Sequence, residues 1–175
     1  MSSIIYSYQE TLKDLKFMLI SLAEADDTLT LARELGVYTI RQTDGNGLNH
    51  AVTQSAAELY ARGAHELLIL PIDLLFLQTY DLCEVAALGG QHEVVICPDK
   101  HSAGTNAIFF SAPTPMRFSF GPGSYLQHQR ETQRCGLVPH LYYNLRIARD
   151  IDLSEHLVDL RYQDLLPASV LRPVA

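Results

Sequence analysis

Long apolar runs are missing from this chain. None approaches the ~18 residues that cross a bilayer, which excludes a helical membrane span. Met1 to Tyr6 have neither the basic flank nor the sustained apolar stretch of a secretory signal, so cytoplasm is the expected compartment. Basic residues are also scarce: 13 Lys and Arg stand against 20 Asp and Glu, a net charge of −7. The lack of a cationic excess to neutralise phosphates argues against non-specific binding to nucleic acid or an anionic membrane. A small phosphorylated ligand needs only a few local donors, and a divalent cation would help it approach an acidic site. Cys83, Cys97 and Cys135 are odd in number and contain no Cys-x-x-Cys, which argues against a disulfide framework or a zinc site and fits a reducing compartment. Repeats, low-complexity segments and linkers are absent too, so residues 1–175 read as one domain.

The pattern that is present alternates in type. Phe17-Met18-Leu19-Ile20 reads as a buried strand, followed by a helix over Asp27 to Leu35 that stops at Gly36. Val37 to Ile40 is a short strand, Asp44-Gly45-Asn46-Gly47 a turn, and Asn49 a candidate cap for a helix running to Arg62-Gly63. Leu67 to Leu70 is the next strand, Thr79 to Leu88 a helix, and Val94 to Cys97 a strand in which Cys97 is a small buried hydrophobe. Strands alternating with helices at these spacings mean crossover units and a mostly parallel sheet. Further on, Ile108 to Phe110 and Phe118 to Phe120 read as short strands antiparallel to the rest. Tyr125 to Arg134 and Ser154 to Leu165 read as helices, with Arg146 to Asp152 extended between them.

Two buried strands end in polar loops: Leu67 to Leu70 leads into Pro71-Ile72-Asp73, and Val94 to Cys97 leads into Pro98-Asp99-Lys100-His101-Ser102-Ala103-Gly104-Thr105-Asn106. Open α/β sheets place ligands at such strand ends, so one crevice with a carboxylate on one side and hydroxyl, amide and backbone donors on the other is expected.

Several segments in order resemble one family: Gly47-Leu48-Asn49-His50-Ala51, the Leu-Pro-Ile-Asp ending at Asp73, Pro98 to Ala107, Phe120-Gly121-Pro122-Gly123-Ser124, and Asp150-Ile151-Asp152. The set looks like the phospholactate (or phosphoenolpyruvate) guanylyltransferases of coenzyme F420 biosynthesis. The resemblance implies a three-layer, Rossmann-like α/β nucleotidyltransferase fold (GT-A-type) with a mixed, mostly parallel sheet. It implies an enzyme that joins GMP from GTP to a three-carbon phospho-acid and releases pyrophosphate, with magnesium. Its partners are then GTP and a small phospho-acid. Carried over residue by residue, it makes Asp73, Asp150 and Asp152 the Mg2+ ligands, Thr105, Gly121 and Ser124 the phospho-acid contacts, and Gly47, Asn49 and Asp73 the nucleotide side.

The chain also departs from that pattern. The additional first strand and Lys/Arg-bearing loop that grip the nucleotide phosphates have no counterpart in Met1 to Lys16, where Lys13 and Lys16 lie at helical spacing. The usual Asp-Leu-Pro is Asp73-Leu74-Leu75, and the usual Thr-Pro after the acidic pair is Leu153-Ser154. A sheet position left without its strand invites pairing with a second copy or refilling by residues 1 to 16. The alternative function is a truncated, non-catalytic homologue that binds a phospho-acid or a partner protein.

The residues themselves support the chemistry while leaving plainer readings open. Asp150 and Asp152, spaced i, i+2, face one side of an extended segment. Three converging carboxylates are consistent with a cation between them. Yet Asp73 also suits a turn, and Asp152 or Ser154 a helix cap. Gly121-Pro122-Gly123 lets backbone approach an anion, and Ser124 opens a helix whose first N–H groups suit one, but a Gly-Pro turn capped by Ser124 has the same sequence. His101 draws no acid/base role, because the accepting oxygen of a phospho-acid is already anionic at neutral pH.

Overall fold

The apolar runs become the interior of one sheet. The computed structural model describes residues 3–7, 16–21, 26–34, 36–41, 47–71, 73–111 and 115–149. In chain order these form β1 (Ser3–Ser7), β2 (Lys16–Ser21), α1 (Asp26–Glu34), β3 (Tyr38–Arg41), α2 (Leu48–Ala61), β4 (Glu66–Pro71), α3 (Thr79–Gly89), β5 (Val94–Pro98), β6 (Thr105–Ser111), α4 (Ser124–Arg134) and β7 (His140–Leu141). The seven-stranded sheet has the order β3-β2-β1-β4-β6-β5-β7. β2 and β3 pair in parallel, as do β5 and β7, whereas β1 is antiparallel to β2 and β4, and β6 to β4 and β5. Thus β2, β3, β4, β5 and β7 run one way, with β1 and β6 opposed. The expected mixed α/β sheet is present, and the sheet position next to β4 is filled by Ser3–Ser7.

Alternation along the central strands builds three layers. Leu67 and Ile69 of β4, Val94 and Ile96 of β5, and Ile108 and Phe110 of β6 pack with Ala51, Val52 and Ala56 of α2 on one face. Leu68 and Leu70, Val95 and Cys97, and Ala107 and Phe109 pack with Val85 of α3 and with Ile147 on the other. Burial pushes the Cys97 thiol up to about 12, so it is an inert core group, as its apolar run implies. α1 stops where glycine allows: Gly36 has φ 75°, and the N–H groups of Gly36 and Val37 close on the carbonyls of Arg33 and Ala32.

Three expectations need correction. Phe118 to Phe120 is not a strand, because side chains and not a neighbouring strand take its backbone groups. The Arg117 N–H donates to Glu131 Oε1, the Ser119 N–H to His128 Nε2, and the Phe120 N–H to Asn49 Oδ1. Arg146 to Arg149, the described part of the piece read as extended, begins in a turn closed by the Ala148 N–H on the Asn144 carbonyl. Asn49 does not cap α2; Gly47 holds that position with φ 80°. The turn residues Asp44 to Asn46, the acidic pair Asp150 and Asp152, and the helix at Ser154 to Leu165 lie outside the described residues.

Gly89 sets how closely α3 approaches the sheet. A Cβ there would lie 2.1 Å from Cε1 of Phe109, a ring that is itself fully enclosed. Gly89→Ala is therefore expected to destabilise the protein by about 1–3 kcal/mol through overpacking. The midpoint of urea unfolding, read against the unchanged slope, measures it.

Candidate active site

Five strands of the sheet, β4 and β5 among them, end on one side, and β6 begins there, beside the ends of β4 and β5. The loop between β5 and β6 must reverse the chain within a few residues, and Asp99 organises it. Its Oδ1 accepts from the N–H groups of His101 and Ala103, and its Oδ2 accepts from Gly104 at 2.7 Å. Those bonds commit the Asp99 carboxylate to its own loop. The Ala103 carbonyl then accepts the Tyr125 N–H, which ties the first turn of α4 to the same loop.

At the mouth of this reversal, three sequence-picked residues meet. Thr105, the first residue of β6, is 7% exposed, and Ser124, the first of α4, is 1% exposed. The Thr105 N–H donates to Ser124 Oγ at 2.8 Å, and the Ser124 N–H donates to the carbonyl of Gly121 at 3.0 Å. Gly121 has φ 125° and Gly123 φ 75°, conformations that favour glycine and let the backbone turn sharply into α4. The first N–H groups of α4, at Ser124 and Tyr125, are thus already occupied, unlike the open helix start expected from sequence. The Ser124 hydroxyl accepts from the Thr105 N–H and keeps its own proton to donate.

Asn49, expected on the nucleotide side, is bonded to the backbone beside this group. Its Oδ1 accepts the Phe120 N–H at 2.6 Å, and its Nδ2 donates to the Phe120 carbonyl at 3.1 Å. That two-way grip sets the backbone immediately before Gly121. Gly47, two residues ahead, begins α2 at the same junction. Asp73 follows β4 in a turn whose carbonyl accepts the Leu75 N–H, half-buried at the sheet end where β6 starts. Asp150 and Asp152 lie beyond the described residues. The last described residues lie against the site: the Ala148 carbonyl accepts the Lys100 N–H, and the Ile147 carbonyl accepts from Asn106 Nδ2.

An ion pair between an enclosed carboxylate and a half-exposed guanidinium fixes that last turn. Asp81 of α3 has no exposed surface, and Arg146 reaches it through Nε at 2.8 Å and Nη2 at 2.6 Å, with Asn144 Nδ2 adding a bond at 2.8 Å. Burial pushes the Asp81 carboxyl up, but the bonds from Arg146, the Gln78 N–H and Asn144 outweigh it and leave the group below the usual carboxylate range. Arg146→Ala would take the charged partner from an enclosed carboxylate that keeps only Asn144 and the Gln78 N–H, so a lower midpoint of urea unfolding is expected.

His128 carried no sequence signal beyond its spacing. Ser124, His128 and Thr132 recur every fourth residue on α4 and are all buried polar groups. The imidazole has no exposed surface, its Nδ1 lies 2.9 Å from Thr105 Oγ1, and its Nε2 accepts the Ser119 N–H at 3.0 Å. Burial pushes its pKa down to about 4, with the Glu131 carboxylate opposing weakly. Because the folded pKa lies below the ordinary value, the unfolded chain binds more protons between those two pH values, and stability falls on acidification from about pH 6.5 towards 4. That contribution is about 2–3 kcal/mol by pH 4.5. Urea titrations at pH 7 and 4.5 should show a correspondingly smaller drop in His128→Leu than in the wild type.

A three-layer sheet with its polar groups gathered at the strand ends defines a Rossmann-like nucleotidyltransferase fold. A protein assigned to the nucleotide-diphospho-sugar transferases, from Desulfovibrio desulfuricans G20, superposes with a TM-score of 0.60 at 17% identity, covering 85% of this chain and 65% of its own. The chain belongs to the family described as Guanylyl transferase CofC like, which it matches over residues 3–163. It is 35% identical over 130 residues to the phosphoenolpyruvate guanylyltransferase of Rubrobacter xylanophilus, covering 74% of this chain and 63% of that protein. It is 28% identical over 152 residues to the 2-phospho-L-lactate guanylyltransferase of Methanobrevibacter smithii, covering 86% and 66%. A match to the phosphoenolpyruvate guanylyltransferase of Chloroflexus aurantiacus, 34% identical, spans 54% of that relative. The chain therefore spans between about half and two thirds of the length of these curated relatives. No helix among the described residues is long and apolar enough to cross a membrane.

Proposed function

We propose that this chain transfers GMP from GTP to a three-carbon phospho-acid, as a guanylyltransferase of coenzyme F420 biosynthesis. The observation that carries the reading is the joined set of Thr105, Ser124 and Gly121 at the sheet end that also bears Asp73, in a chain of the guanylyltransferase family. A phosphate oxygen of the phospho-acid attacks the α-phosphorus of GTP, a new P–O–P linkage forms, the α–β bond breaks, and pyrophosphate leaves. Because the attacking oxygen is already anionic, no side chain has to remove a proton. What the protein supplies is position and charge compensation. The Thr105 and Ser124 hydroxyls donate to the phospho-acid from a buried wall, and the Gly121 turn lets backbone come close to it. Gly47 and Asn49, at the start of α2, flank the nucleotide, with Asn49 also setting the Phe120 backbone beside it.

The donor set fits magnesium in kind: carboxylate oxygens are the hard ligands that this ion takes together with phosphate and water. Among the described residues no three His, Cys, Asp or Glu side chains come together as a metal site, so Asp73 is the one described member of the proposed set with Asp150 and Asp152. When bound there, Mg2+ would neutralise charge on the triphosphate. The turn held by Asp81 and Arg146 keeps Ile147 and Ala148 against the β5–β6 loop and the start of β6.

The test is magnesium-dependent pyrophosphate release from GTP, with 2-phospho-L-lactate, phosphoenolpyruvate and 3-phosphoglycerate in turn. Release requiring one of these acids, and reduced on the order of a hundredfold in Asp73→Asn, is the expected result. Folded protein that releases none with any acid would overturn the reading in favour of a non-catalytic homologue.

A further inference from the structure

The Thr105 hydroxyl has a partner that settles which way its proton points. His128 Nε2 accepts the Ser119 N–H and so carries no hydrogen of its own. A neutral ring then has its single hydrogen on Nδ1, facing Thr105 Oγ1 at 2.9 Å. A hydroxyl oxygen that accepts there has its O–H proton left to turn elsewhere. The Thr105 N–H is meanwhile taken by Ser124 Oγ, which fixes the residue's backbone against the start of α4. Phe120 meets the imidazole edge-on at 4.9 Å between ring centres, and the ring has no exposed surface.

We propose that His128 is the positioning residue of the phospho-acid subsite: its Nδ1–H occupies the acceptor side of the Thr105 hydroxyl, so that the Thr105 proton is presented to the bound acid. This rests on the reading that Thr105 contacts the phospho-acid. Nothing is transferred from His128; it holds one tautomer and sets one hydroxyl. The same device couples three parts of the chain. The 115–120 segment chooses the tautomer through Ser119, α4 carries the ring, and β6 carries the hydroxyl. Displacement of Ser119 would free Nε2 to take the hydrogen and would release Thr105 to donate to the ring instead of to the ligand.

Two measurements on the full chain test it. Nitrogen-15 NMR of the imidazoles should show His128 at pH 7 as the neutral Nδ1–H tautomer; the Nε2–H tautomer would overturn the proposal. Dissociation constants for phosphoenolpyruvate, 2-phospho-L-lactate and a non-transferable GTP analogue, with magnesium present, provide the second. His128→Leu should weaken the acid that the wild type binds by about tenfold, the effect of one net hydrogen bond, and leave the GTP analogue within about twofold. His128→Asn, whose amide can donate from near the Nδ1 position, should recover most of the loss. In a Thr105→Val background, His128→Leu should add nothing further. Equal loss for both ligands, no recovery in Asn, or additivity with Thr105→Val would each overturn the positioning role. Wild-type protein that binds neither acid would instead overturn the phospho-acid reading itself, and the tautomer measurement stands apart from both. Should His128→Leu not fold, the wild-type tautomer and the His128→Asn affinities still decide.

Discussion

The Asp99 carboxylate accepts N–H groups from His101, Ala103 and Gly104, and through them it sets the reversal between β5 and β6. β6 lies between two strands that run the other way, so the chain leaving β5 has to come straight back. A register shift at Cys97 and Pro98 shows where the ladder yields to the loop. Gly104 is part of the same construction, since a Cβ there would lie 2.8 Å from Asp99 Oδ2. Because Thr105 comes directly after this loop and Tyr125 is hydrogen-bonded to it, the start of β6 and the start of α4 share one anchor. The candidate site is, in this sense, an extension of one short turn.

Around that anchor the protein encloses polar groups and satisfies them. Thr105, Ser124, His128 and Thr132 all lie in the interior with partners in place. Asp81 is enclosed just as fully and held from three directions. Such groups add little net stability over a well-packed apolar alternative, but any member left without its partner is costly. The arrangement therefore tolerates few geometries, which suits a site whose contribution is placement.

The sheet was readable because β4 and β5 are uninterrupted apolar runs buried on both faces, and no helix period competes with them. Gly36 was equally plain as a helix stop. The pairing of Thr105 with Ser124 followed from family resemblance, and the structure joins the two directly. Phe118 to Phe120 misled because alternating aromatics mark a strand only when a neighbour supplies hydrogen bonds, and here Asn49, His128 and Glu131 do so. Asn49 misled for the related reason that a cap-like residue can be claimed by a partner seventy-one positions away. β7, two residues long, carries no period at all. The fourfold spacing of Ser124, His128 and Thr132 was the available sign of a buried polar face, but without a partner strand in view it reads like any amphipathic helix.

The place of β1 in the sheet has a consequence for assembly. β3 and β2 form one parallel pair, and β4, β6, β5 and β7 form a second block; among the described residues the two are joined laterally only through Ser3–Ser7. Ser3 pairs with Ile20 on one side and with Pro71 on the other. The first pairing closes a short stretch of chain, whereas the second waits until β4 exists as a strand. Distant pairings of this sort form late, because ordering the intervening chain costs entropy before any contact compensates it. β1 thus acts as a seam, bound to one half of the sheet by a pairing close in sequence and to the other by one that spans most of the first seventy residues.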